Sequence, residues 1–490
     1  MSSSSVRFFA AGGNGGAWLT IARNFAYDAR NLNHRRIFEG VPMLLDLTIA
    51  NYRSVYEPAS INMVATREQV HRERCPELAR RYKKRVNPVA ALFGANAAGK
   101  STFVMALTAL QRMLIDPPRP SDPMPFDPFA LRPDAAFEPT TFEVLFSVDD
   151  IVYEYVLAFD AKSVVEERLT KYLSKDEIDV FERVGDSFSF PLLEEKSERF
   201  PTEVAQARVL LESVPPKVPL ASFASETNLS RFPDSLKLDA FGVVRAFVET
   251  ILVIPAGLMD IGHLQSQPDG WEDLISQIDA GITGVETELV ELSALGLGAE
   301  QALEIEQELR SNPDYPMDVE LSSGRFTLRL DGDEIEAQRI TLLHSAEEGG
   351  NYGLRWWDES DGTRSATRLL GLFSRLATPG FEAVLVVDEF DRSFHTELSR
   401  ALIGGFLANS SADSRAQLIF TTHDLLLMDP ETLRRDEIWV IEKDRSGQTQ
   451  TSVLSDFEGP RKTTDLRKSY LRGRFGGVPS IKPLEFSNVE

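Results

Sequence analysis

An α/β fold built around a parallel sheet is predicted by three observations. Val89-Ala90-Ala91-Leu92-Phe93 is a short apolar run of the kind a buried parallel strand makes. Directly after it, Gly94-Ala95-Asn96-Ala97-Ala98-Gly99-Lys100-Ser101, followed by Thr102, fits the G-x-x-x-x-G-K-[ST] loop at every required position. Far downstream, Ala383-Val384-Leu385-Val386-Val387 is a second buried-strand pattern, and it ends in two carboxylates, Asp388 and Glu389.

The loop comes first in the chain and explains most. After it, Phe103, Leu107, Leu110 and Leu114 recur at helical spacing, so a strand feeds a glycine loop that opens a helix. Glycines let the backbone wrap so that its N–H groups point at phosphate oxygens, and the helix N-terminus adds positive potential. Lys100 is placed to reach the β- and γ-phosphates, and the Ser101 hydroxyl to ligate Mg²⁺. The residues imply binding of a nucleoside triphosphate.

Composition sets the outer bounds. A chain of 490 residues with 42% hydrophobic content can bury a substantial core. Its longest apolar runs fall well short of the ~20 residues of a membrane span. The single cysteine, Cys75, rules out an internal disulfide and suits a reducing, cytoplasmic setting. A formal charge of −23 argues against a surface that is basic throughout and grips nucleic acid non-specifically. Direct nucleic-acid binding through a local patch stays open.

Taken in order, residues 1–42 read as a low-complexity extension, disordered or preceding the working start at Met43. They lack the apolar core of a signal peptide. Residues 43–199 form the first half of a nucleotide-binding head. Leu45, Leu47 and Ile49 alternate as in a half-buried strand, and Asn51-Tyr52-Arg53-Ser54 is a polar turn. The basic segment from Cys75 to Arg85 has a helical look and a solvated face. Asp116 to Pro139 holds eight prolines and must be an irregular connection. Beyond it, Phe142, Val144 and Phe146, then Ile151 to Phe159, read as two strands around Asp149-Asp150. Residues 200–315 read as an inserted, largely helical subdomain, with Val243, Phe247 and Ile251 on one face. Its stretch Glu286–Arg310 carries seven glutamates against one arginine and no sustained heptads.

Residues 316–490 return to the nucleotide. Asp388 is placed to hold Mg²⁺ and Glu389 to polarise the attacking water, because a metal at the loop serine needs a carboxylate facing it. Thirty residues on, the strand Gln417–Thr421 ends in Thr422-His423-Asp424, where His423 can hydrogen-bond the γ-phosphate. Ser360-Asp361-Gly362-Thr363 caps a helix that shows Leu369, Leu370, Phe373 and Leu376 on one face, giving exposed N–H donors. Loop, capped helix, carboxylate strand, histidine is the motif order of ABC-type ATPases. The predicted fold is therefore an α/β, ABC-type P-loop head with an inserted, largely helical subdomain.

These blocks, with Asp388-Glu389-Phe390-Asp391-Arg392-Ser393-Phe394-His395, resemble the ABC-like AAA ATPases of bacterial anti-phage defence, relatives of the OLD proteins and of SMC-type repair ATPases. The tail Tyr470-Leu471-Arg472-Gly473-Arg474-Phe475-Gly476-Gly477-Val478-Pro479 resembles the ending of abortive-infection ATPases such as the ATPase subunit of PARIS systems. The resemblance implies a Mg²⁺-dependent ATPase with Lys100, Glu389 and His423 as its catalytic group. It also implies a dimer or higher assembly in which Ser360 to Thr363 act on the neighbour's nucleotide. A phage-encoded trigger and a separately encoded effector, for which a TOPRIM-type nuclease is a candidate, are further implications. No acidic cluster of a fused TOPRIM nuclease follows His423. Thr396 stands where many relatives have proline, and no glutamine loop can be picked out of the proline-rich segment. Arg461 to Lys482 carries seven basic residues against Asp465 alone, making Arg472 and Arg474 candidate contacts to a partner or a neighbouring protomer. Competing classes are an SMC/RecF-like ATPase acting on DNA, a soluble transporter ATPase subunit, and a nucleotide-gated scaffold without turnover. The acidic charge and missing coiled coil disfavour the first of these, and the large inserts disfavour the second.

Overall fold

A computed structural model describes residues 42–173, 176–256, 271–278, 281–311, 317–332, 334–346, 349–377, 382–392, 395–457 and 466–478. The expectation for residues 1–41, and the tail residues 461–465 and 479–482, lie outside the described residues.

β1 (Met43–Ala50) pairs antiparallel with β2 (Ala59–Asn62), and β3 (Val89–Phe93) feeds the glycine loop and helix α1 (Lys100–Ile115). β4 (Thr140–Val148), β5 (Ile151–Phe159), β6 (Val164–Leu173), β7 (Asp176–Val184) and β8 (Ser187–Ser189) then run as a meander. Asp149 and Asp150 have φ of 49° and 61°, the left-handed pair that a two-residue β4–β5 turn requires. The sheet order is β2-β1-β4-β5-β6-β7-β8.

Helices α2 (Pro191–Glu194), α3 (Pro201–Leu211), α4 (Leu220–Glu226) and α5 (Val243–Val248) follow, then strand β9 (Ile251–Ile254). After α6 (Trp271–Ile278) comes a second antiparallel sheet. It comprises β10 (Ile282–Val290), β11 (Met317–Leu321), β12 (Gly324–Asp331), β13 (Glu334–Ser345) and β14 (Asn351–Leu354), with α7 (Ala299–Ser311) between β10 and β11. The chain closes with α8 (Asp361–Leu376), β15 (Val384–Val387), α9 (Thr396–Ala408), β16 (Gln417–Thr422), β17 (Ile438–Lys443), β18 (Thr449–Val453) and α10 (Leu466–Leu471).

The central sheet has the order β18-β17-β3-β16-β15-β9, parallel throughout except for β18. Period-two alternation gives each strand two apolar faces. Ala90 and Leu92 join a core with α1, α5 and the first antiparallel sheet, while Val89, Ala91 and Phe93 join one with α8 and α9. This is an α/β arrangement around a parallel sheet, with the glycine loop between β3 and α1, as the sequence predicted.

Helix predominates among the described residues of 200–315, with two amendments. Val243 and Phe247 share the buried face of α5, but Ile251 already belongs to β9, an edge strand of the central sheet beside β15. Glu286 to Val290 lies in β10, where Thr283, Val285, Thr287 and Val290 favour the extended backbone despite the glutamates. The basic segment is also not helical. Bridges Glu77–Arg85 and Val64–Val86 make it a hairpin-like loop, Lys83 takes φ 52°, and Tyr82 Oη donates to Tyr172 O at 2.6 Å. That half-buried tyrosine anchor outweighs local helix propensity.

The tail is docked on the head. Leu466, Tyr470 and Phe475 enter the α8–α9 core, Tyr470 Oη donates to Gly477 O at 2.7 Å, and Gly477 N donates to Glu442 Oε2 at 2.8 Å. Arg472 and Arg474 are exposed on the turn after α10. No helix among the described residues is long and apolar enough to cross a membrane.

Candidate functional site

In a parallel sheet, loops leaving the carboxyl ends of neighbouring strands share one edge, and ligands bind there. Register fixes the neighbours: Phe93 pairs with Thr422 and Val387 with Phe420. The glycine loop after β3, His423 after β16 and Asp388-Glu389 after β15 therefore emerge side by side. A cavity of about 750 Å³ lies at this edge. It is lined by Asn96 to Thr102, Glu389, Asp391 and His423, together with Arg53, Ser54, Met105, Asp127 to Leu131, Arg392, Lys443 and Gly447.

The loop is held from behind by hydroxyls. Thr449 Oγ1 donates to Ala98 O at 2.8 Å and lies 2.8 Å from Ser54 Oγ, which is 2.7 Å from Thr102 Oγ1. Gly99 takes φ 108°, and a Cβ there would collide with Thr449 Oγ1; one at Gly94 would strike Ile441 O. These two glycines are therefore required by both space and, at Gly99, backbone conformation. Ala97 at φ 62° turns the loop back on itself, the curl that gathers successive N–H groups toward an anion.

Lys100 is only 5% exposed. Its Nζ donates to Gly94 O at 2.9 Å and Ala95 O at 3.1 Å, and it lies 3.3–3.4 Å from the His423 ring nitrogens. Burial pushes its pKa down to about 8, against the opposing pull of Asp388, Asp391 and Glu389. A buried cation short of full compensation is a seat for an anion.

Thr421, fully buried at the end of β16, organises the carboxylates. Its Oγ1 donates to Asp388 Oδ1 at 2.6 Å and accepts from Glu389 N at 2.7 Å. Glu389 takes φ 51°, an uncommon conformation for a glutamate and one that marks functional turns. Arg392 Nη1 donates to Glu389 Oε2 at 3.1 Å, and His423 N donates to the Asp391 carboxylate at 3.2 and 3.3 Å. The residue types fit Mg²⁺: Ser101 lines the cavity, and Asp388, buried just behind its lining, has one oxygen fixed by Thr421. A magnesium ion needs few protein ligands when phosphates and waters complete its shell.

Ser360, Asp361, Gly362 and Thr363 sit apart from this group. They form the N-terminus of α8, where Ser360 Oγ accepts from Thr363 N at 3.0 Å, as the capping pattern predicted, and they do not line the cavity. Ser360 and Asp361 are exposed. Sequence reasoning gave no task to Arg392, to the braces Thr421 and Thr449, or to the proline-rich loop. Thr449 stands 350 positions from Gly99, so no local pattern signals it.

A family described as "AAA domain, putative AbiEii toxin, Type IV TA system" matches residues 89–211 and 272–429. No curated protein matches the chain. Among solved structures, the SMC head domain from Thermotoga maritima is 13% identical, covering 84% of this chain and 98% of that one, with a TM-score of 0.33. An SMC head bound to the C-terminal winged-helix domain of ScpA gives 11% identity, 84% and 97% coverage, and 0.36. The recombination mediator protein RecF, in a structure designated RecF-ATPrS of the RecFOR pathway, gives 12%, 84% and 99%, and 0.31.

Proposed function

The chain belongs to this AAA-domain family, and from that premise we propose that it is a cytoplasmic, Mg²⁺-dependent ATPase that regulates an anti-phage abortive-infection system. The observation that carries the reading is the meeting of Lys100, Glu389, Asp391 and His423, supplied by three separate strand ends, in one cavity. Lys100 and the loop amides bind the β- and γ-phosphates. Glu389 orients the attacking water, and His423 contacts the γ-phosphate and so distinguishes ATP from ADP. Ser101 and Asp388 would hold magnesium, which when bound neutralises charge on the phosphates.

The site is completed by a second copy. Ser360 to Thr363 lie away from the cavity of their own chain, with Ser360 and Asp361 exposed, and present the α8 N-terminus to a neighbour's γ-phosphate. This heterologous contact closes into a pair or grows into a ring. The site supplies ATP chemistry, and the toxic chemistry is assigned in this reading to a separately encoded effector, a TOPRIM-type nuclease being one candidate. Assembly responds to a phage-encoded trigger, and exposed Arg472 and Arg474 offer a basic contact to an acidic effector or protomer.

Phage challenge tests this reading in cells carrying this gene, its neighbour, or both. Protection is expected only with both genes and an intact Lys100, and Arg472→Glu with Arg474→Glu is expected to abolish it while ATP binding persists. Protection by this gene alone would refute the effector. Hydrolysis stimulated strongly by DNA would favour a repair ATPase instead.

A further inference from the structure

The proline-rich connection between α1 and β4 is left without a task by the site chemistry, yet its residues Asp127 to Leu131 line the same cavity as Lys100. This segment is built into place. Arg53 N donates to Asp127 O at 2.7 Å, and Phe129 N donates to Asn51 Oδ1 at 3.1 Å. Asn51, 3% exposed, also donates through Nδ2 to Ala135 O and Glu138 O, both at 2.8 Å. The buried Phe129 ring lies against Tyr56, with centroids 5.8 Å apart. Eight prolines, an asparagine clamp and an aromatic contact make a preformed wall.

Its chemistry differs from the rest of the cavity. The loop end carries Lys100, Glu389, Asp391, Arg392 and His423, whereas the wall beyond Asp127, which faces Arg53 at 3.6 Å, contributes the apolar side chains of Pro128, Phe129, Ala130 and Leu131. Leu131 stands out: it lines the cavity and is 67% exposed. Its Cδ1 lies against Gly447 in the β17–β18 turn, where a Cβ would collide with it. That turn is tied to the phosphate loop through Thr449 Oγ1 and Ala98 O. Leu131 and the turn are thus fixed relative to the phosphate seat. A nucleotide whose phosphates occupy the loop has one flat, weakly hydrated part left to bury, its base, and an exposed apolar side chain on the cavity wall is the chemical match.

Building on the nucleotide reading, we propose that Leu131, held against Gly447 by the proline-rich loop, is the platform on which the nucleobase stacks. A leucine reads the flat face of a ring and not its edge, so this contact serves adenine and guanine alike. The wall therefore supplies affinity for the base, while the phosphate loop supplies affinity for the charge.

The test is calorimetric titration of the full chain with Mg²⁺ and, separately, ATP, GTP and inorganic triphosphate. Leu131 is exposed, so Leu131→Ala leaves the fold in place. Affinity for ATP and for GTP is expected to fall about tenfold, with triphosphate affinity unchanged and Leu131→Met restoring most of the loss. Unchanged ATP affinity in Leu131→Ala, or an equal loss for ATP and triphosphate, would overturn the platform while leaving the phosphate site intact. A wild-type chain that binds triphosphate as tightly as ATP would do the same. Failure of the wild type to bind either ligand would instead overturn the nucleotide reading, and this inference with it.

Discussion

Lys100 should make nucleotide affinity depend on pH in a defined window. In the free protein burial holds its pKa at about 8, although Asp388, Asp391 and Glu389 pull the other way. Phosphates placed against Nζ favour the ammonium form, so the pKa rises on binding and the complex takes up a proton. One pH unit above the free value, about 90% of Lys100 is neutral before binding. The apparent affinity for ATP should therefore drop about tenfold between pH 7 and 9, equal to about 1.4 kcal/mol. The terminal phosphate, with a second pKa near ~6, is already ionised over most of this range and does not mimic the effect. The sign for folding is opposite. A lysine depressed from 10.5 destabilises the free protein below about pH 8, and that penalty is relieved as pH rises from about 8 to 10.5. Calorimetric titrations from pH 7 to 9.5, in two buffers of different ionisation enthalpy, measure affinity and proton uptake together. A flat affinity and no proton uptake at pH 8.5 would refute the coupling between Lys100 and the phosphates.

Two further outcomes test the geometry. Thr421→Val keeps the shape of a fully buried side chain but removes the hydroxyl shared by Asp388 and Glu389 N. It should cost about 1–3 kcal/mol of stability in a denaturant melt and slow single-turnover hydrolysis about 10- to 100-fold, while metal-free ATP binding changes little; hydrolysis at the wild-type rate would exclude Thr421 as an organiser. Mixing Lys100→Ala protein with Ser360→Arg protein should yield hydrolysis above the sum of the two, because one interface then joins both intact halves. Mixed assemblies that form without added activity would rule out a shared site.

How much of this was legible in the sequence depends on the range of the interaction involved. The glycine loop, the Asp388-Glu389 strand end and the Ser360 cap are specified by residues within one turn or strand of each other. Their local structure followed from spacing alone, and the parallel order of β3, β16 and β15 then brought the first two together with His423. β10 was hidden because its glutamates, exposed on one edge strand, mimic the composition of a solvated helix such as α7. The hairpin-like loop near Lys83 depends on Tyr82 reaching Tyr172, 90 residues away. The same holds for Asn51, which clamps the proline-rich loop 84 and 87 positions downstream. Asn51-Tyr52-Arg53-Ser54 looked like a polar turn because its partners are distant in sequence, and only the fold reveals it as the support of the cavity wall.

The central claim is that Lys100 binds the triphosphate and Glu389 turns it over. The most direct measurement compares ATP binding and phosphate release in wild type, Lys100→Ala and Glu389→Gln under identical Mg²⁺ conditions. Lys100→Ala should lose nucleotide binding. Glu389→Gln should bind ATP at wild-type affinity, release phosphate at least about 100-fold more slowly, and accumulate as an ATP-bound assembly. Equal affinity in wild type and Lys100→Ala, or undiminished turnover in Glu389→Gln, would contradict the account.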